Sequence, residues 1–124
     1  MSTLKVNTIQ NTSAAHSSTP EQIAQGRCKA WVNFNGTGTV AIRDSFNVGS
    51  ITDNGTGSYT LNFSTAMPSA DYVLCMSGST NNSFTRAGTQ TPSSMTTSAA
   101  TVQTASSTGS SVDREYCAVA IFGD

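Results

Sequence analysis

The sequence predicts an all-β fold: an antiparallel β-sandwich, jelly-roll-like, with an extended N-terminal arm and one short helix. Three observations lead there. The stretch from Trp31 to Phe63 is a series of short alternating apolar runs punctuated by Gly and Asn, the pattern of antiparallel strands joined by tight turns. Two later runs, Tyr72 to Met76 and Tyr116 to Phe122, are apolar on both faces, which predicts central strands. Ser and Thr make up roughly a third of the chain, far above ordinary usage. Their hydroxyls compete with the helix backbone, so this composition suits exposed β structure and not helices.

Composition narrows the function classes. The 124 residues suffice for one domain. Hydrophobic residues are 36% and aromatic residues 7%, enough for one thin core, while charged residues are only 10%. Lys and Arg number 6 against 7 Asp and Glu, giving a net charge of −1. Without a basic cluster there is no footprint for nucleic acid. No apolar run approaches the length of a membrane span, and no basic amphipathic segment offers membrane insertion. Met1-Ser2-Thr3-Leu4 carries no signal-peptide pattern and reads as a cytosolic start. Cys28, Cys75 and Cys117 are odd in number and widely spaced, so all three are expected to be unpaired.

In chain order, residues 1–18 form the arm. Leu4, Val6 and Thr8 alternate, which allows a short strand, and Asn11 to Ser18 reads as linker. The arm has too little apolar surface to fold alone. Its alternation suits addition to the edge of another chain's sheet, with Leu4 and Val6 filling pockets and Ile9 adding a further contact. Residues 19–27 are a short helix and linker: Thr19 caps, Pro20 takes the first helical position, Gln22 completes a capping box and Gly26 ends it. One or two turns are not stable alone, so Ile23 and Ala24 need something to pack on.

Residues 28–124 are the sandwich. In the first strand Ala30, Val32 and Phe34 share one face and Trp31, Asn33 and Asn35 the other. Asn35-Gly36-Thr37-Gly38 reads as a hairpin turn. Thr39 to Arg43 and Phe46-Asn47-Val48 are read as strands, Asp53 to Gly57 as a turn, and Tyr59 to Phe63 as a strand with one buried face. Ala66 to Ser69 breaks the chain. Tyr72 to Met76 is central, Gly78 to Asn82 a loop, Phe84 to Gly88 a short edge strand, and Ser93 to Ala105 a weak Thr-rich strand. Ala105 to Ser111 is a loop, and Tyr116 to Phe122 closes the domain. The expected core is Val32, Phe34, Leu61, Phe63, Leu74, Val119 and Ile121. Seven or eight strands favour a sandwich over a closed barrel.

Candidate chemistry is sparse. His16, the single histidine, sits in the polar arm with no packing and no carboxylate to hold it as a triad would require. No cysteine pair has zinc spacing. Asp53-Asn54-Gly55 lacks the remaining ligands of a calcium loop and reads as a turn. Nothing predicts a catalytic residue, a cofactor or a metal. Carboxylates are not clustered in the acid pairs that glycoside hydrolysis needs. Two features suit interaction. Trp31 is a sugar-stacking or interface aromatic, or caps the core. Arg43 beside Asp44 offers a salt bridge between subunits, although the plainer reading is a solvated pair worth little.

Several segments in combination carry a family resemblance. Leu4-Lys5-Val6-Asn7-Thr8-Ile9-Gln10-Asn11, Pro20-Glu21-Gln22-Ile23, Gly26-Arg27 and Lys29 through Gly36 resemble tail-fibre-like proteins of marine bacteriophages. The likeness continues in Ile42 through Val48, Asn54-Gly55-Thr56-Gly57 and Phe63 through Pro68. It covers the first two thirds of the chain. It implies a structural component of the virion surface, synthesised in the host cytoplasm. It also implies a homotrimer attached to other virion proteins of capsid or tail, and closed rotational symmetry would bury Ile23, and Trp31 with it, between protomers. Cys28 departs from the small residue expected there. The absence of a shaft repeat or coiled coil points to a short fibre, a head decoration or a cement protein. The resemblance implies no catalytic residues. A carbohydrate-binding adhesin that contacts host-surface glycan through Trp31 is the alternative.

Overall fold

The computed structural model describes residues 1–80, 83–84 and 95–123. Its elements are β1 (Ile9–Gln10), β2 (Ser17–Ser18), α1 (Pro20–Gly26), β3 (Cys28–Asn35), β4 (Ala41–Phe46), β5 (Val48–Asp53), β6 (Ser58–Phe63), β7 (Val73–Thr80), β8 (Ser83–Phe84), β9 (Ala99–Gln103) and β10 (Tyr116–Phe122). The chain is an all-β antiparallel sandwich. One sheet has five strands in the order β4-β3-β10-β7-β8, and the other has three in the order β5-β6-β9. Every ladder is antiparallel.

The core lies between the sheets. Period-two alternation sends Ala30, Val32 and Phe34 of β3 and Cys117, Val119 and Ile121 of β10 inward. They meet Tyr59 and Leu61 of β6 and Ala100 and Val102 of β9. Phe34 and Tyr59 stack edge to face at 5.1 Å, and Phe63 and Tyr72 at 5.8 Å. Each such pair is worth about 0.5–1.5 kcal/mol beyond the area it buries. Of the expected core, Val32, Phe34, Leu61, Val119 and Ile121 are buried, while Phe63 and Leu74 are partly buried against it.

Local chemistry sets the turns. Asn35 Oδ1 accepts from Thr37 N at 3.1 Å and Thr37 Oγ1 at 2.8 Å, which folds the β3–β4 turn. Asp53 Oδ1 accepts from Gly55 N at 2.9 Å in the β5–β6 turn. The helix forms with the expected capping box: Gln22 N donates to Thr19 Oγ1, and Thr19 N to Gln22 Oε1. Its Ile23 nevertheless stays exposed, and Ala24 is half-buried.

The structure departs from the sequence reading in five places. Phe46-Asn47-Val48 is not one strand. Asn47, at φ +57°, is a corner where the chain leaves the five-stranded sheet for the three-stranded one. Asn tolerates that left-handed backbone, and its side chain holds the corner by accepting from Thr65 N at 2.7 Å. Residues 4–8 form no strand, because a strand needs a partner ladder for its backbone groups. The linker from Asn11 to Ser18 contains a strand, since Ser17–Ser18 pairs back on Ile9–Gln10. Gly78 to Thr80 belongs to β7 instead of a loop, because β10 continues alongside it. Finally, β7 is internal to its sheet, yet its outward Val73 and Cys75 are exposed. The expected loop residues at 81–82, most of the edge strand read at 84–88 and the start of the weak strand read from 93 lie outside the described residues.

Candidate functional site

The outward face of the five-stranded sheet carries two of the candidate interaction residues, Trp31 and Arg43. Alternation that buries Val32 and Phe34 turns Trp31 and Asn33 outward. Strand register then sets their neighbours: Trp31 stands beside Phe46 on β4 and Ala120 on β10, and Ala120 beside Cys75 on β7. The next row is Asp44, Asn33, Ala118 and Ser77, and Phe122 pairs with Val73. Two alanines between larger side chains leave a shallow hollow of about 500 Å³ bordered by Trp31, Asn33, Cys75 and Ser77. Around it Phe46 is 55% exposed, Val73 62% and Tyr116 44%. Trp31 itself is half-buried, so it neither caps the core nor stands free.

Arg43 lies on the same face, lifted there by a bulge where β4 carries one more residue than β3 between Asn33 and Phe34. Its Nη2 donates to the Glu115 carbonyl at 2.8 Å and its Nη1 to Asn33 Oδ1 at 3.3 Å. Its guanidinium carbon sits 4.5 Å from the centroid of the Tyr116 ring, an exposed cation–π contact worth about 0.5–1 kcal/mol. Asp44 accepts from its neighbour Ser45 N. Within the chain, then, Arg43 is engaged by Asn33, Glu115 and Tyr116.

The arm is the second feature. Every residue from Met1 to Ser17 is exposed, including Leu4 at 82%, Val6 and Ile9. His16 closes the arm's small hairpin with backbone groups only: its carbonyl accepts from Asn11 N at 3.1 Å and its N–H donates to Asn11 Oδ1. The fold thus brings Trp31 and Arg43 onto one surface. Leu4, Val6, Ile9 and Ile23 belong to the arm and helix, outside both sheets of the sandwich.

A third cluster is internal. Tyr59 on β6 donates toward the Gly36 carbonyl at 2.8 Å and Asp113 Oδ1 at 2.9 Å, and the same carboxylate accepts from Gly57 N at 2.7 Å. Gly36 N donates to the Arg114 carbonyl. These bonds tie the β3–β4 turn, the β5–β6 turn and the approach to β10 together across the sandwich. Burial first, and then the Asp113 carboxylate, push the Tyr59 phenol well above its ordinary range. Burial pushes the Cys117 thiol up to about 11, against a smaller downward pull from Arg43 and Arg114. A neutral phenol and a protonated buried thiol are poor bases and nucleophiles at neutral pH, so the cluster is a structural clamp. Arg114 is buried in it, and among the described residues its Nε has no hydrogen-bond partner. Among the described residues no three His, Cys, Asp or Glu side chains gather as metal ligands would.

Sequence reasoning missed Phe46, Val73, Tyr116 and the two alanines as surface residues. For all but Phe46, which ends β4, the signal was present in the doubly apolar runs of β7 and β10, which were read as central strands and are central. A strand covered by another molecule has the same pattern. Comparison with known families, curated proteins and solved structures finds no match to this chain.

Proposed function

We propose that the chain is a structural component of a bacteriophage virion surface, a short tail fibre or knob or a capsid decoration or cement protein, fastened through its arm. One observation carries this reading. Residues 1–17 are exposed throughout and include Leu4, Val6 and Ile9, so the segment has apolar side chains and no core of its own to cover them. Ordering it costs roughly 1–2 kcal/mol per residue, which only an extensive partner surface offsets. The motif resemblance of the first two thirds of the chain adds a phage context and a homotrimer. The reading assigns no catalysis.

The test is deletion of residues 2–18. The truncated protein is expected to melt cooperatively and to drop out of particles. Incorporation equal to that of the full chain overturns the arm as anchor. Copy number in purified particles separates hundreds of capsid decorations from the few dozen or fewer subunits of a tail.

The second reading is a glycan-binding adhesin. It draws on the half-exposed indole of Trp31 beside the polar Asn33 and Ser77, since aromatic faces stack on sugars while amides and hydroxyls orient them. Glycan-array binding that Trp31→Ala abolishes supports it.

A further inference from the structure

We propose that the outward face of the five-stranded sheet is the surface on which a second copy of this chain docks, Phe46 of one copy entering the hollow beside Trp31 of the other. This rests on the structural-component reading above and gives it a two-fold contact between copies in place of the three-fold one, since a face complementary to itself closes as a dimer.

The residue types come first. Trp31, Phe46, Tyr116 and Arg43 are the types enriched where protein interfaces draw their energy, and the structure places all four on this face. The centre is apolar and the margin carries both signs of charge, Arg43 beside Asp44.

Shape adds to this. The face holds a knob and a hollow together. Phe46 projects from β4, and the hollow of about 500 Å³ opens next to it over Ala118 and Ala120. A surface with one of each is complementary to itself. A sugar needs a dense set of hydrogen-bonding groups, whereas the walls here are mainly indole, methyl and thiol. Of its two polar side chains, Asn33 and Ser77, Asn33 already accepts from Arg43.

Size is sufficient. Four strands spaced about 4.8 Å apart and about 20–25 Å long present a projected patch of about 400–500 Å², so two apposed faces bury on the order of 1,000 Å², the lower bound for a specific contact and the range of weak, reversible ones. Two of the described edges, β4 and β5, are less suited to a partner. β4 is bulged and carries Arg43 and Asp44, and β5 is bulged at Gly49. Both are devices that discourage strand addition.

The experiment uses the full chain, followed by light scattering across a concentration series and by maleimide labelling of Cys75, the exposed thiol on this face. Phe46→Asp and Val73→Asp are the variants, chosen because both side chains are exposed in the single chain and the fold survives their change. Circular dichroism checks that it does. The wild type is expected to be a dimer, with labelling that slows as concentration rises. Each variant is expected to weaken association at least about tenfold, giving a monomer mass and fast labelling. A monomeric wild type overturns the proposal, as do folded variants that keep the oligomer mass and slow labelling. If arm deletion speeds Cys75 labelling in a chain that is always monomeric, the chain's own arm covers the face and the proposal falls. Glycan-array binding by a monomer, lost in Trp31→Ala, overturns it in favour of sugar. Particle incorporation is read separately, so a monomeric protein that still needs its arm to join particles sinks this surface and leaves the virion reading standing.

Discussion

The two sheets of this sandwich turn very different outer faces away from the same core. On the three-stranded sheet the outward residues are hydroxyls and amides that bond one another across the strands. Asn62 donates to Ser50 and Thr52 at 3.1 Å each, the Thr60 and Thr101 hydroxyls lie 2.9 Å apart, and Asn54 donates to Thr60 at 2.8 Å. On the five-stranded sheet the outward residues in the corresponding rows are Phe46, Trp31, Ala120, Cys75 and Val73. Both faces obey the same period of two. The first satisfies its polar groups laterally and needs only water. The second leaves apolar area that a further molecule would cover. Composition averaged over the chain hides this difference, because a third of the residues being Ser and Thr says nothing about which sheet receives them.

Five substitutions, one of them read through a titration, sharpen the contrast. The largest effect is expected on the inside. Leu61→Asp buries an unpaired charge in a fully enclosed site, which outweighs the about 5–15 kcal/mol that holds a small domain together. A soluble variant with a β-rich circular dichroism spectrum would show that the inner face has been misplaced.

Next comes the clamp that keeps the two sheets in register. Gly57 sits at φ +68°, and a Cβ there would lie 2.5 Å from the Thr104 carbonyl oxygen and 2.7 Å from Val112 N. Both contacts are backbone and cannot swing aside. Gly57→Ala should cost about 3 kcal/mol or more, read as a lower urea midpoint.

Alkaline unfolding follows. Cys117 and Tyr59 have folded pKa values raised above their unfolded ones, so the unfolded chain ionises first as pH rises. Their contribution is fully present below about pH 9, where the unfolded thiol begins to ionise, and is lost as pH climbs through Cys117's folded value of about 11. Tyr59 extends the loss from its ordinary value of 10.0 upward. Melting temperature should therefore be flat from neutral pH to about 9 and then fall. Cys117→Ala should remove the earlier part of that fall, and an unchanged onset in this variant would assign it elsewhere.

The outer faces give the smallest effects. Asn62→Ala removes two exposed side-chain hydrogen bonds and should cost about 0.5–1.5 kcal/mol in denaturant melts. Val73→Asp, on the open face, should change the stability of the monomer by no more than about 0.5 kcal/mol. If Val73→Asp destabilises the monomer more than Asn62→Ala does, the face is covered within the chain and the contrast between the sheets dissolves.

What the amino-acid order determined by itself is the local part. Alternation at Ala30, Val32 and Phe34 and at Tyr59 and Leu61 selected strands and their buried face. Thr19-Pro20-Glu21-Gln22 selected the helix start, and Asn35-Gly36 and Asp53-Asn54-Gly55 selected turns. Each depends on contacts within a few residues, so the sequence carries it openly. Trp31 and Arg43 were also legible as interaction candidates from residue type, and alternation placed Trp31 off the core face. Their surroundings were not. That Trp31 would stand in one row with Phe46, Ala120 and Cys75 depends on β10 inserting between β3 and β7, a pairing across tens of residues of chain. That Tyr59 would bond Gly36 and Asp113 depends on two sheets closing on each other. The corner at Asn47 and the exposure of Val73 are decided by which sheet each strand joins. Strand partners are chosen by the closure of the whole core, and no local pattern encodes them.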